Sequence, residues 1–303
     1  MNYGIIDIGS NTIRGVAYSV EGNRAVKTED KLVRSHILRE TKNGKLSENG
    51  INRLVAVLSK LRYILKKARC SEIYCFGTSA MRGIENIDEV KQVIYDTTTL
   101  SIDALSGKEE AECDFVALRA NIAERSAIGI DLGGGSCQII QFERNNILFS
   151  DSYDIGSNRV RREIVKNNIP TDEEQKKIAA YVRNRVIEHQ NMIGHRYIYV
   201  MGGTAKAAVK IYKSLFGAAS TDTYLSIENM EKICSIARED SEKMYEFFTR
   251  VVKNRADTVI PGIIVLKTVC ELFDVDGIYV LSCTMRDGYF TKLMKEKSDE
   301  SKG

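Results

Sequence analysis

Long apolar runs are missing from this chain: nothing in its 303 residues approaches the roughly 18 consecutive apolar positions of a membrane helix. The first residues, Met1 to Ser10, run straight into strand-like sequence without a basic start or an apolar core, so no secretory signal is expected. Proline occurs only twice, and no low-complexity linker separates the halves. Cysteine pairing is absent too. The seven cysteines, at 70, 75, 113, 137, 234, 270 and 283, include no C-x-x-C. An odd, scattered set argues against a disulfide framework or a zinc site and for a reducing compartment. Nor is there a strong charge of one sign: 44 basic and 41 acidic residues leave +3. That tolerates an anionic substrate but lacks the concentrated basic stripe of a nucleic-acid binder. The basic cluster Arg159-Val160-Arg161-Arg162 reads equally well as a solvated helix face. The expectation is a soluble, cytoplasmic protein with neither nucleic acid nor membrane as partner.

What is present is a chain long enough for two α/β domains. Residues 3–20 read as strand, glycine turn, strand, and residues 127–142 read the same way, each with an apolar run, then D-x-G, then β-branched residues. The repeat predicts duplicated domains over 1–124 and 125–303, with the junction near Ala123–Ser126. The final helix, from about Arg286, is free to pack back on the first domain. Ser47 is placed to cap a helix reaching about Ala68, with Ile51, Leu54, Val55, Leu58, Leu61 and Leu65 on one face. Glu72 to Phe76 reads as a short buried strand ending at Gly77-Thr78-Ser79. Ser106-Gly107-Lys108-Glu109 fits a capping box, opening a helix with Ala111, Phe115, Leu118 and Ile122 inside. Pro170-Thr171 with Glu174 marks another helix start, and Tyr197–Met201 and Ile278–Leu281 read as strands.

The chemistry concentrates at the turns. In Asp7-Ile8-Gly9-Ser10-Asn11 and Asp131-Leu132-Gly133-Gly134-Gly135-Ser136, glycines let the backbone approach a ligand closely. Consecutive N–H groups in such turns form an anion-binding concavity, and the hydroxyls of Ser10, Thr12 and Ser136 add donors. At the Ser106 helix start Glu109 has a structural task as the capping residue. Glu110, rotated by about 100° from it, has none. A carboxylate there suits the orientation and deprotonation of a water. Arg82, closing Gly77-Thr78-Ser79-Ala80-Met81-Arg82, is the type of residue that grips a phosphate with two hydrogen bonds. Gly202-Gly203-Thr204 offers the matching turn in the second half.

Taken in order, these segments resemble the exopolyphosphatase and guanosine pentaphosphate phosphohydrolase family, of the superfamily of actin, sugar kinases and heat-shock chaperone ATPases. The resemblance runs from Asp7–Thr12 through Gly77–Arg82, Ser106–Ala111, Asp131–Ser136 and Gly202–Thr204 to Arg255-Ala256-Asp257 and Pro261-Gly262. It implies two ribonuclease H-like, actin-like α/β domains with a cleft between them. By the same resemblance Glu110 is the catalytic base and Asp131 the second catalytic acid. Asp131, Glu110, Gln138 (weakly) and Asp7 are metal-ligand candidates. Ser10, Asn11, Thr12, Arg82, Gly133, Gly134, Gly135, Ser136, Gly203 and Thr204 are phosphate-binding candidates. The implied cofactor is Mg²⁺ or another divalent cation, and the implied reaction is attack of water on a terminal phosphorus. A homodimer is compatible with the sequence.

Three departures qualify the match. The family usually continues G-G-G-S-T-E, its Glu helping to hold the metal, where this chain has Cys137 and Gln138. One negative charge is gone, so weaker metal affinity is expected. The last motif also drifts, to Thr284-Met285-Arg286-Asp287-Gly288. Long members carry an extra helical domain with a His-Asp motif; none of the three histidines here (36, 189 and 195) precedes an Asp. The resemblance is therefore to the short, two-domain form, for which lower processivity is expected. Polyphosphate and guanosine pentaphosphate remain alternative substrates. A nucleotide-dependent kinase or ATPase of the same superfamily and a non-catalytic polyphosphate or alarmone sensor are the competing classes.

Overall fold

The computed structural model describes residues 1–9, 12–22, 24–34, 40–186 and 194–300. The chain divides into two compact units, Met1–Glu110 and Ala111–Gly303.

In the first unit β1 (Asn2–Ile8), β2 (Thr12–Glu21) and β3 (Arg24–Arg34) form an antiparallel meander. A small ribbon of β4 (Thr41–Lys42) and β5 (Lys45–Leu46) precedes α1 (Glu48–Lys67). Then come β6 (Cys70–Gly77), α2 (Ser79–Arg82), α3 (Ile87–Thr98) and β7 (Ile102–Ala104). Among the described residues the main sheet has the order β3-β2-β1-β6-β7, with β1, β6 and β7 parallel. Ser47 caps α1 as its sequence requires, accepting the Gly50 N–H at 3.2 Å. The helix lays Ile51, Leu54, Leu58, Leu61 and Leu65 on the sheet, and Val55 falls to the edge of that face.

The second unit repeats the plan. α4 (Gly107–Arg119) leads into β8 (Ser126–Leu132), β9 (Cys137–Glu143) and β10 (Asn146–Tyr153), again an antiparallel meander. α5 (Ser157–Ile164), α6 (Asp172–Arg183), β11 (Tyr197–Met201), α7 (Gly203–Phe216), β12 (Tyr224–Ser226), α8 (Ile227–Glu239) and α9 (Ser241–Val252) follow. α10 (Val259–Leu272), β13 (Gly277–Val280) and α11 (Met285–Glu300) complete it. The sheet order is β10-β9-β8-β11-β13-β12, with β8, β11 and β13 parallel and β12 antiparallel on the edge. Both units thus carry the meander-then-parallel order of a ribonuclease H-like domain.

One face of the second sheet is covered by α5 to α10, with α10 buried along nearly its whole length. The opposite face receives Ala111, Ala117 and Leu118 of α4. The compact units divide inside α4 because, past its first turn, this helix packs on the second sheet. Gly129 of β8 accommodates Leu118, whose side chain leaves no room for a Cβ. α11 lies against α4, Gly288 facing the Cys113 carbonyl and Lys292 pairing with Glu112 at 2.7 Å. Among the described residues no helix is long and apolar enough to cross a membrane.

Candidate active site

In the first unit the parallel strands β1 and β6 end side by side, with Ile8 opposite Gly77. Asp7 is half-buried at the end of β1, across the hairpin from Arg14. The carbonyl of Thr12 accepts the Gly9 N–H at 3.0 Å, closing the turn. Ser10 and Asn11 lie outside the described residues. At the end of β6 the chain turns through Thr78 into the single turn α2. Its setting is fixed by packing: Met81 is fully buried, and a Cβ on Gly77 would meet its Cγ at 2.2 Å. Leu105 is pinned to the same strand end by its N–H, donated to the Gly77 carbonyl at 2.9 Å.

These anchors bring Arg82 onto Glu110. Arg82 Nη1 donates to Glu110 Oε1 at 2.8 Å and to the Leu105 carbonyl at 2.8 Å, and Nη2 donates to Glu110 Oε2 at 3.4 Å. The Glu110 side chain is 4% exposed and that of Arg82 28%. The capping box forms as its sequence demands. Ser106 N–H donates to Glu109 Oε2 at 2.8 Å, and Glu109 N–H donates to Ser106 Oγ at 3.2 Å. Glu109 therefore stays outside while Glu110 turns inward, and the buried carboxylate finds its countercharge in Arg82.

In the second unit Asp131 ends β8, between Gln138 of β9 and Met201 of β11. In the Gly133–Ser136 loop the three glycine carbonyls turn toward α5, and the Ser136 carbonyl accepts the Gly133 N–H at 3.0 Å. Gly133 O accepts from the Ser157 N–H at 3.1 Å, Gly134 O from Asn158 at 2.9 Å and Arg159 at 3.1 Å, and Gly135 O from Arg159 Nε at 3.1 Å. Gly156 lies so close that a Cβ there would sit 2.4 Å from the Gly135 carbonyl carbon. The basic cluster at 159–162 is thus mostly tied up in the fold. Arg159 also pairs with Asp154 and Glu163, Arg161 donates to the Val165 carbonyl, and Arg162 is exposed.

Gln138 is buried, its Nε2 donating to Ser136 Oγ at 3.0 Å and Ser152 Oγ at 3.1 Å. The Cys137 thiol is held far above its usual range, first by burial and then by the charges of Asp131 and Asp114. Asp114, a nearly fully buried carboxylate on α4, had no signal in the sequence beyond its place on that helix.

The turn after β11 has Gly202 at φ 106°, where a Cβ would sit 2.8 Å from Asp131 Oδ1. Thr204 is fully buried and has its hydroxyl engaged within the unit, 3.0 Å from Ser157 Oγ and accepting from Arg255 Nη1 at 3.3 Å. The Arg255 guanidinium lies over Gly203, where a Cβ would meet Nη2 at 2.2 Å. Lys206, one turn into α7, donates to the Ser282 carbonyl at 2.7 Å. It shares the surroundings of Cys283 with Asp287 and Asp131. Burial, then Asp287, push that thiol up to about 11; Lys206 opposes them and Asp131 adds to them. The drifted motif closes on itself, Asp287 Oδ2 accepting from Thr284 N–H at 2.9 Å and Oγ1 at 2.8 Å. Two cations, Arg255 and Lys206, stand at this turn. Arg255 opens the Arg255-Ala256-Asp257 segment, and nothing in sequence spacing places it over Gly203.

A model of the Ppx/GppA phosphatase family matches residues 24–297. The chain belongs to that family. Exopolyphosphatase 1 of Mycobacterium tuberculosis is 20% identical over 317 aligned positions, covering 99% of this chain and 90% of that protein. The bifunctional 3-dehydroquinate synthase/phosphatase of Fusobacterium nucleatum is 27% identical, with 91% of this chain and 44% of that protein covered. Among solved structures, an exopolyphosphatase from Cytophaga hutchinsonii superposes with a TM-score of 0.86 at 18% identity, over 98% of each chain. The Ppx/GppA family member of Aquifex aeolicus gives 0.81 at 19% identity, again over 98% of each. These likenesses establish the fold of this family member.

Proposed function

We propose that this Ppx/GppA family member is an exopolyphosphatase, hydrolysing the terminal phosphoanhydride of inorganic polyphosphate and releasing orthophosphate. The observation that carries the reading is Glu110: a buried carboxylate in the first turn of α4, separated in role from its capping neighbour Glu109. A carboxylate oxygen carries more than one lone pair, so a side chain of this type in this place is able to take a proton from a water. The water's oxygen bonds to the terminal phosphorus, the bridging P–O bond breaks, and the shortened chain leaves. Gly133, Gly134 and Gly135 commit their carbonyls to α5 and the Gly133 N–H closes on the Ser136 carbonyl, which favours a role for the N–H groups of Gly134 to Ser136 in holding phosphate oxygens. Arg255 and Lys206 supply positive charge at the Gly202–Thr204 turn. Thr12, with Ser10 and Asn11, completes the proposed phosphate contacts on the first unit. Thr204 contributes through Arg255.

A divalent cation fits this set in one way. Among the described residues no three His, Cys, Asp or Glu side chains converge as a cage. Mg²⁺ needs only one or two protein carboxylates, its remaining ligands being waters and substrate phosphates. Asp131 is the carboxylate proposed to hold it, with Asp7 as a second candidate. Gln138 offers at most an amide oxygen, and Glu110 is engaged with Arg82. When bound, the ion would neutralise charge developing on the phosphoryl oxygens.

The test is phosphate release from polyphosphate and from guanosine pentaphosphate, side by side, across a Mg²⁺ titration. Release from polyphosphate, lost on Glu110→Gln with binding retained, is the expected result. Preference for guanosine pentaphosphate would move the substrate to the nucleotide. Tight polyphosphate binding with no release at millimolar Mg²⁺ would make the protein a sensor. Full turnover by Glu110→Gln would remove the base.

A further inference from the structure

We infer that Arg82 is a positioning residue for Glu110, and not the residue that grips the phosphate chain. The inference rests on the reading of Glu110 as the base. Three features converge on it. Both terminal nitrogens of Arg82 are directed at the two oxygens of one carboxylate, and Nη1 is shared with the Leu105 carbonyl. A planar guanidinium fixes a carboxylate's orientation in this fork; a lysine would supply only a point charge.

The fork is also preset by packing. Arg82 follows the buried Met81, which fills the space that Gly77 leaves open, and Leu105 is tied to the same Gly77 through its N–H. The arginine therefore stands on a strand end with two independent anchors, so it does not need substrate to order it. Finally, Glu110 is far more buried than Arg82, and the two side chains form an ion pair at 2.8 Å. Taking Arg82 away to a substrate phosphate would strip a buried carboxylate of that countercharge. The physical role of Arg82 is to set the angle of the carboxylate before the substrate arrives.

Two measurements on the full chain test this. The first is steady-state phosphate release from polyphosphate at saturating Mg²⁺ for wild type, Arg82→Met and Arg82→Lys. A positioning residue lowers kcat by about tenfold or more while KM stays within about threefold, because a misplaced base harms the chemical step and not substrate capture. Arg82→Lys recovers part of the lost kcat, keeping the charge but not the fork. The second is a thermal double-mutant cycle of Arg82→Met, Glu110→Gln and their combination, without substrate. The combined variant should unfold at a higher temperature than the two single losses would sum to, since the second change removes the stranded carboxylate.

A tenfold rise in KM with kcat unchanged, or additive thermal losses, would overturn the inference. Should Arg82→Met fail to fold, Arg82→Lys carries the kinetic test, with a fall in kcat at unchanged KM supporting the inference and the reverse opposing it. If the wild-type chain releases no phosphate, the proposed function fails instead. The thermal cycle still reads whether Arg82 holds Glu110, and strict additivity there would sink the inference independently.

Discussion

Gln138 shows how one side chain can alter a site without disturbing its frame. It sits in register with Asp131 across the β8–β9 hairpin and donates from Nε2 to the hydroxyls of Ser136 and Ser152. Both hydroxyls can turn and donate instead, so a glutamate is able to occupy the same position. It would then be a buried anion close to Asp131, whose repulsion only a cation relieves. Gln138→Glu is therefore expected to lower the melting temperature without Mg²⁺ and to gain more than the wild type when Mg²⁺ is added, by mass action on the folded state. Thermal unfolding across a Mg²⁺ series measures this directly. Equal Mg²⁺ responses in the two proteins would mean that position 138 is not near a bound ion. Thr204 makes the complementary point. Its sequence context suggests a phosphate ligand, and in the structure its hydroxyl lies 3.0 Å from Ser157 Oγ and accepts from Arg255 Nη1 at 3.3 Å, so side-chain context adds partners that spacing does not show.

At the level of elements, the helix starts are the most legible part of the sequence. The α6 start closes a reciprocal capping box: Thr171 Oγ1 accepts the Glu174 N–H, and Glu174 Oε2 accepts the Thr171 N–H at 2.9 Å. Burial of Glu174 works against its charge, but donation from the Thr171 and Lys166 backbone and the Thr171 hydroxyl outweighs it, and its pKa falls below the usual carboxylate value. A depressed folded pKa means the carboxylate stabilises the fold above the unfolded pKa and stops doing so as pH falls through the folded one. Thr171→Ala should cost about 1 kcal/mol at neutral pH and less at pH 3, measured by urea unfolding. A cost independent of pH would show that the box contributes no charge-linked stability. The hairpins over 3–20 and 127–142, α1 and the strand at 197–201 were similarly readable, because periodicity and caps are local. Less readable were β3, exposed over residues 25–32 with Val33 half-buried near its end, and α10, buried on nearly every side. Neither shows a one-sided apolar pattern, so periodicity has nothing to report. Which sheet α4 packs on is a tertiary fact, outside the reach of a local pattern.

For the molecule as a whole, the seven cysteines act as reporters of where it opens. All are buried. Burial raises the thiols of Cys75, Cys137, Cys234 and Cys270, that of Cys234 to about 12, and raises Cys70 against the pull of Lys66. Thiolate is the reactive form, so at pH 8 the folded protein should resist alkylation, and labelling should track unfolding. This also bears on Cys137, for which a redox role beside the glycine loop competes with that of a small core filler. Rapid labelling of Cys137 in the native protein would support the redox role; protection until unfolding supports the filler. Cys70 and Cys75 lie in Met1–Glu110 and the other five in Ala111–Gly303, so mass-resolved labelling in rising urea reads the two units separately. The first unit is the shorter one, and a smaller domain buries a smaller share of its chain surface. Cys75 should therefore become reactive at lower urea than Cys234 and Cys270. A single shared midpoint for all three would show instead that the two units unfold as one cooperative body.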